Sequence, residues 1–288
     1  MAAFILSDGE DLGLVETGPA STLPALLNNL EPFGGLDGLQ NIVVTHVHLD
    51  HAGAVGEILR RAPHVRCYVH RLGAPHVVDP SRLLRSATRI YGDQMIPLWG
   101  EVMSAPAAQV SAVDDGDVLR IGGTELRVIY TPGHASHHIA LLDQEHGTVF
   151  TGDVAGVRLQ GSDHIRPPTP PPDIDLVLWQ SSVARLRTLR PESLLLTHFG
   201  AHSENISQHF DLLLARLERW IELVEVARAA GEDCDAMIES LRREADRELI
   251  AEGADATELR RYELATPYGM SVDGILRYLD VGRAAATA

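Results

Sequence analysis

The residues of this chain best suited to chemistry are histidines crowded beside carboxylates. The run His46-Val47-His48-Leu49-Asp50-His51 packs three imidazoles and one carboxylate into six positions. It follows the apolar, β-branched run Asn41-Ile42-Val43-Val44-Thr45 and precedes a helical stretch over 54–61. His46 and His48 are two apart, so in extended backbone both point to the same side. Asp50 and His51 follow where the chain turns toward the helix, so the run can address two adjacent points in space. Three later strand ends carry matching groups: Gly133-His134, Gly152-Asp153 and Thr197-His198. Five imidazoles and two carboxylates suit borderline divalent ions, zinc first, with manganese or iron as alternatives. A lone histidine at a strand end is ordinarily a polar loop residue. Four such positions in one chain are much harder to obtain by chance.

These groups need strands that end together. Short apolar runs predict strands over 11–17, 41–45, 65–69, 118–121, 125–130, 139–142, 148–150 and 194–197, with Gly122-Gly123 turning a hairpin. Helices are predicted over 21–30, with Ser21 as N-cap, over 54–61, stopped by Pro63, and over 174–189. This alternation argues for an α/β or layered α+β domain over 1–203. Residues 74–108 read as irregular helices that could cover a site, with Tyr91, Met95 and Trp99 available to line an apolar pocket. Tyr68 and His70, in or after the strand over 65–69, fit core or surface roles better than a place in the site. Residues 163–175 form a loop stiffened by five prolines between 167 and 172. Arg158, His164 and Arg166 flank it, and Arg166 could meet an anionic substrate. From Glu204 on, Ile206, Phe210, Leu213, Leu217, Trp220 and Val224 mark a long amphipathic helix. Further helical pattern covers 237–249 and 257–264, and 265–270 reads as a hinge. The segment 204–288 is thus a helical extension, suited to a lid, a homodimer contact or a cap.

Composition narrows the partners. The chain has 24 basic against 40 acidic residues, a net charge of −16. That balance repels phosphate backbones and anionic membranes, so neither nucleic acid nor a membrane is expected as partner. Cys67 and Cys234 cannot build a disulfide framework and are expected to be buried free thiols. No basic flank marks a secretory leader, and no apolar stretch approaches the roughly 20 residues of a transmembrane span. A cytoplasmic location is the corresponding expectation.

The run at 46–51, followed by Gly133-His134, Gly152-Asp153 and His198, resembles the metallo-β-lactamase-fold superfamily over about two thirds of the chain. Thr131-Pro132-Gly133-His134-Ala135-Ser136-His137-His138 and Thr151-Gly152-Asp153 look most like its glyoxalase II and lactonase branches. The resemblance implies a four-layer αββα sandwich, with the site at one edge of the two sheets. It implies one metal on His46, His48 and His134, a second on Asp50, His51 and His198, and Asp153 bridging both. Two departures stand out. Glu16, at the end of the strand over 11–17, occupies a position where the superfamily usually has Asp after further strands, and the first strand reads as short or missing. His137 stands where the glyoxalase II branch commonly has Gly, while His138 fits that branch.

Two divalent ions held this way yield a hydroxide near neutral pH and polarise the scissile bond. The expectation is a binuclear metallohydrolase whose bridging hydroxide cleaves a small ester, lactone or thioester. Asp50 would orient the nucleophile or pass a proton to the leaving group. Thr45, His138 and Thr197 are the candidates to fix the far nitrogens of the imidazoles. The same ligands admit a phosphodiesterase, an iron-dependent oxygen or persulfide enzyme, or a binding protein with a vestigial site. Substrate contacts are confined to the weak candidates Tyr91, Trp99 and Arg166.

Overall fold

A computed structural model describes residues 1–286. Its first sheet has five strands in sequential order: β1 (Phe4–Ser7), β2 (Leu12–Val15), β3 (Leu39–Val43), β4 (Arg66–His70) and β5 (Val110–Val113). β1 and β2 pair antiparallel, and the rest of the sheet is parallel. The second sheet runs from β6 (Val118–Ile121) through β7 (Thr124–Tyr130), β8 (Ile139–Asp143), β9 (Thr148–Gly152) and β10 (Ser193–Leu196) to β11 (Gly200–His202). Only its β9–β10 pair is parallel.

The alternation of side chains along each strand sorts them into layers. Val15, Val43, Leu141 and Phe150 meet between the sheets. Leu14, Ile42 and Val69 face the opposite way, onto the helices α1 (Leu23–Leu30), α2 (Gly35–Gly38), α3 (Leu49–Ala52) and α4 (Val55–Arg61). The outer face of the second sheet, with Ile129, Leu142, Val149 and Leu194, packs on a further set of helices. The result is the αββα sandwich with a helical C-terminal region. The sheets approach closely where the 122–123 turn passes β2: a side chain at Gly13 would stand 2.4 Å from the Gly122 nitrogen.

Between β4 and β5 come α5 (Ala74–Val78), α6 (Ser81–Tyr91) and α7 (Met95–Trp99). The last two lie on the periphery, with Ile96 67 % and Leu98 44 % exposed. After the proline-rich loop comes α8 (Leu176–Thr188), capped by Asp175, whose carboxylate accepts from the Leu178 N–H at 2.9 Å. Then follow α9 (Ile206–Ala229), α10 (Cys234–Ala251), α11 (Ala256–Ala265) and α12 (Tyr268–Ala286). Phe210, Leu217 and Trp220 of α9, Leu241 of α10 and Val272 of α12 join one apolar core with α8 and the second sheet. No helix among the described residues is long and apolar enough to cross a membrane.

Several local expectations are corrected. The first strand is present as β1, though only four residues long; its apolar residues pair with β2. β5, β11 and α12 have no counterpart in the sequence reading, because three- and four-residue strands and a helix opening inside a presumed hinge leave too little periodicity. Ser21 is not an N-cap. Thr22 holds that position of α1, and the Ser21 hydroxyl instead donates to the Leu98 carbonyl at 2.6 Å. Cys67 is buried, but Cys234 is exposed at the first turn of α10.

Candidate metal centre

The candidate ligands sit in loops and a helix start just beyond strand ends, where the backbone leaves the sheet and side chains can converge. His46 and His48 follow β3. Asp50 and His51 lie in the first turn of α3, with His48 as its N-cap. The Ile139 N–H donates to the Thr45 carbonyl at 2.8 Å, which ties this loop of the first sheet to the start of β8. His134 follows β7 behind Gly133. That glycine has φ +132°, and a Cβ on it would lie 2.4 Å from the Trp179 Cα. Asp153 follows β9 behind Gly152, where a Cβ would meet Thr45 Oγ1 at 2.5 Å and His138 Nε2 at 2.6 Å. These two glycines are therefore required by close approach. His198 follows β10, its carbonyl accepting from the Arg158 N–H at 2.6 Å.

The seven side chains form two groups of three and one shared carboxylate. In each of the triples His46, His48, His134 and Asp50, His51, His198, one donor atom per residue lies within 4.8 Å of the other two. His46 Nε2 is 2.9 Å and His134 Nε2 is 3.1 Å from His48 Nδ1. Asp153 reaches both groups: Oδ2 is 3.4 Å from His134 Nε2, and Oδ1 is 3.2 Å from His51 Nε2 and 3.5 Å from His198 Nε2. Asp50 Oδ2 stands 3.3 Å from His198 Nε2 and 3.7 Å from His51 Nε2.

The far nitrogens are committed elsewhere. His46 Nδ1 lies 3.0 Å from Thr45 Oγ1, His51 Nδ1 is 3.0 Å from Glu16 Oε1, and His134 Nδ1 is 2.9 Å from the Pro168 carbonyl. The Thr45 hydroxyl donates to Glu16, so it accepts from His46 Nδ1–H. These contacts put the protons on Nδ1 of His46, His51 and His134 and leave lone pairs on Nε2, all directed at the centre of the cluster. His51 Nε2 and Asp153 Oδ1 are buried and not in hydrogen-bonding geometry with any described residue. Lone pairs that converge without a proton between them fit a cation, so the donor set suits two divalent ions.

Residues 2–198 match the sequence model of the metallo-beta-lactamase superfamily. The chain belongs to that superfamily. A metallo-beta-lactamase fold-containing protein of Sulfurisphaera tokodaii is 32 % identical over 74 % of this chain and 80 % of its own length. An atrochrysone carboxyl ACP thioesterase of Aspergillus fumigatus is 24 % identical over 75 % of this chain. The chain spans only 41 % of that fungal relative's length. Among solved structures, a metallo-beta-lactamase family protein from Thermus thermophilus superposes with a TM-score of 0.71 at 21 % identity, covering 99 % of this chain and 88 % of its own. The fold likeness therefore extends through the C-terminal helices. A protein solved in a di-iron-bound form has a TM-score of 0.52 at 25 % identity, over 73 % of this chain and 90 % of its own.

In this member of the superfamily the candidate metal centre rests on a buried glutamate. Glu16 is fully buried at the end of β2, in left-handed backbone with φ +66°. Its carboxylate accepts from the Thr45 hydroxyl, the Thr45 N–H at 3.2 Å, His51 Nδ1 at 3.0 Å and the Thr197 hydroxyl at 3.5 Å. Glu16 also lies within ligand distance of His46 and His51. It faces the backs of these rings, however, and its lone pairs are taken, so it holds the ligands rather than an ion. In the sequence, Glu16 stands out only as a departure from the superfamily's pattern. Its signal was a carboxylate placed directly after a buried strand. His138 acts from the other side, its Nε2 accepting the Asp153 N–H at 3.1 Å and its Nδ1 lying 2.8 Å from Thr131 Oγ1.

Electrostatics separate the two groups. Burial, with neighbouring imidazoles, drives His46 well below its ordinary value, and burial and His134 bring His48 down to about 3. Burial also lowers His134. Burial acts in the same direction on His51, but Asp153, Asp50 and Glu16 together raise it well above the usual value. Burial opposes ionisation of Asp50 and Asp153, yet His51 and His198 hold both carboxyls low.

Other predicted site residues are scattered. Tyr91, half-buried at the end of α6, meets Trp99 edge to face at 5.0 Å and donates toward Met270 Sδ at 3.7 Å. Burial and the Asp50 charge raise its hydroxyl pKa. Through Tyr91, which feels the Asp50 charge, this small cluster lies on the Asp50 side of the centre. Arg166 is not a substrate contact. It is fully buried, with its guanidinium 5.0 Å over each of the Tyr262 and Tyr268 rings and 3.5 Å from Asp246. Arg158 turns to His202, 2.7 Å from its Nδ1, and to Asp163. His164 pairs with Glu252 at 2.9 Å. His70 stacks on Tyr130 at 4.6 Å.

Proposed function

We propose that the chain is a binuclear metal-dependent hydrolase that cleaves a small ester, lactone or thioester. The observation that carries this reading is Asp153, one carboxylate whose two oxygens address two separate triples of donors. Bound there, two divalent ions, zinc first, supply hydroxide by lowering the pKa of water from about 16 to about 7, and they polarise the carbonyl under attack.

The chain's own residues do the rest. Asp153 holds the two triples in register. Asp50 is the more open carboxylate, 20 % exposed against 5 % for Asp153. It stays ionised beside His51 and His198, so it can orient the attacking water, take up the proton that water releases and pass it to the leaving group. Glu16, Thr45 and the Pro168 carbonyl keep His46, His51 and His134 in the tautomer that directs Nε2 inward. Tyr91, Trp99 and Met270 form an apolar cluster on the Asp50 side, and on this reading it would favour an acyl group of modest size. The fungal relatives' description as ACP thioesterases supports a thioester as one member of that class. The phosphodiesterase reading loses its support, because Arg158 and Arg166 are engaged away from the cluster.

The test is a panel of lactones, thioesters, β-lactams and phosphodiesters, assayed with the protein loaded separately with zinc, manganese and iron. Two ions per chain and turnover of a carboxylic ester, lactone or thioester are expected. One iron per chain, or a two-ion protein that cleaves phosphodiesters alone, would overturn the reading. Likeness to a di-iron-bound protein makes the iron arm of this panel necessary.

A further inference from the structure

The C-terminal helix α12 makes three contacts with the proline-rich loop and its N-terminal flank. At one end, the Arg166 guanidinium rests over the Tyr268 ring at 5.0 Å. At the other, Arg277 Nε donates to the Pro172 carbonyl at 3.0 Å. Between them lies Gly274, buried in the helix interior. A Cβ at this position would stand 2.1 Å from the Thr169 carbonyl oxygen, 2.7 Å from Ile174 Cδ1 and 3.0 Å from the Pro170 carbonyl carbon. The nearest of these is backbone, which cannot swing aside as a side chain would. Glycine inside a helix is unfavourable on its own account, so its place here is explained by the close approach it permits.

One residue away, the Pro168 carbonyl receives the Nδ1–H of His134 at 2.9 Å. Prolines at 167, 168, 170, 171 and 172 fix φ on both sides of Thr169. A push on Thr169 therefore has few soft torsions in which to dissipate before it reaches Pro168.

We propose that α12 is a positioning element of the metal centre: Gly274, seated on Thr169, sets where the Pro168 carbonyl stands and so orients the ring of His134. The inference rests on the metal-centre reading but not on any substrate. It assigns to residues at the far end of the chain control over the ion on His46, His48 and His134, and none over the ion on Asp50, His51 and His198.

The experiment strips the full chain of metal and titrates zinc into the parent, Gly274→Ala, Arg277→Ala and His134→Ala, with thermal unfolding as a check of folding. Nitrogen-15 correlation spectra of the histidine rings report the Nδ1–H of His134. Gly274→Ala is expected to weaken one ion 10- to 100-fold, the same ion that His134→Ala loses. It should also shift or broaden the His134 Nδ1–H signal and leave the other ion at parent affinity. Arg277→Ala is expected to act in the same direction by a few-fold. A folded Gly274→Ala variant that binds both ions like the parent, or weakens both equally, overturns the proposal. Should Gly274→Ala fail to fold, parent-like binding by Arg277→Ala overturns it instead. A parent that takes up no zinc sinks the metal reading alone, and the His134 ring signal in Gly274→Ala then decides whether α12 positions that ring.

Discussion

The floor of the cleft and its wall are built by different rules. The floor consists of strand-end loops, and its histidines are nearly all buried: His46 and His51 are fully so, His134 1 % and His198 8 % exposed. His51 and His134 are fixed at their far nitrogens by Glu16 and the Pro168 carbonyl, and His198 through its backbone by Arg158. The wall is the pair α6 and α7, with Ile90, Ile96 and Leu98 open to solvent and a single hydroxyl, that of Ser21, hydrogen-bonded to the α7 backbone at Leu98. Geometry that must hold to a fraction of an ångström sits where two sheets and several helices over-determine it. On the proposed reading, surface that would choose a substrate sits on peripheral helices that can change without disturbing the candidate ligands.

Five substitutions or treatments would break or sharpen this contrast. The largest effect is expected from Asp153→Ala, which takes away the carboxylate shared by both triples. Turnover of whichever substrate the panel identifies should fall by on the order of 10³-fold or more, with metal content per chain reduced. A variant still holding two ions and working at the parent rate would remove Asp153 from its assigned role.

Metal removal should come next. An ion at 1,000 times its dissociation constant adds about 4 kcal/mol to folding stability, so chelation should lower Tm by roughly 10 °C in a chain of this size. The metal-free protein should also acquire a pH dependence. His51 is raised, so the stability its proton contributes is complete below its unfolded pKa and fades as pH rises through the elevated folded value. Asp50 and Asp153 are lowered, so their contribution is present above the ordinary carboxylate range and fades on acidification. Metal-free Tm should therefore fall between neutral and alkaline pH while the metal-loaded Tm stays flatter. Parallel curves would contradict the assignment of His51.

Glu16→Gln is expected to be milder. It preserves size but loses the charge that holds the His51 and Thr45 donors, and a 10- to 100-fold loss of metal affinity is the usual scale for such partners. Isothermal titration with zinc would measure it. The smallest effects belong to the wall. Trp99→Ala should raise KM by up to about tenfold with little change in kcat, whereas Ile96→Ser should leave both unchanged and stability within about 0.5 kcal/mol. Equal effects from the two would mean that exposure does not mark the boundary of the pocket.

The same contrast explains what could be read from the sequence. Four of the seven candidate ligands lie within six positions, and the other three stand beside Gly133, Gly152 and Thr197 at strand ends, so local pattern was enough to single them out as one candidate set. The layers followed from strand alternation, such as Ile42 and Val43 facing opposite ways. Glu16 was out of reach in its actual role. That role depends on a left-handed backbone angle and on a loop 29 residues further along, neither of which leaves a periodic trace. Arg166 looked like a cleft residue because it follows Asp153 in sequence. The tyrosines that cage it lie roughly a hundred residues later, on helices whose packing no spacing announced. Short β5 and β11 were missed because three or four residues offer barely one alternation.

The single apolar core that joins α9, α10 and α12 to the outer face of the second sheet bears on how such a chain can change over time. A helical tail that merely leaned on the sandwich could be traded between lineages like a cassette. Here a chain ending at 203 would bare Trp179, Leu194 and Leu196 together with the seats of Phe210, Leu217 and Trp220, an apolar tract of the kind that promotes aggregation. Any exchanged tail would have to bring matching aromatic and leucine side chains with it, so sheet and tail are expected to diversify in step.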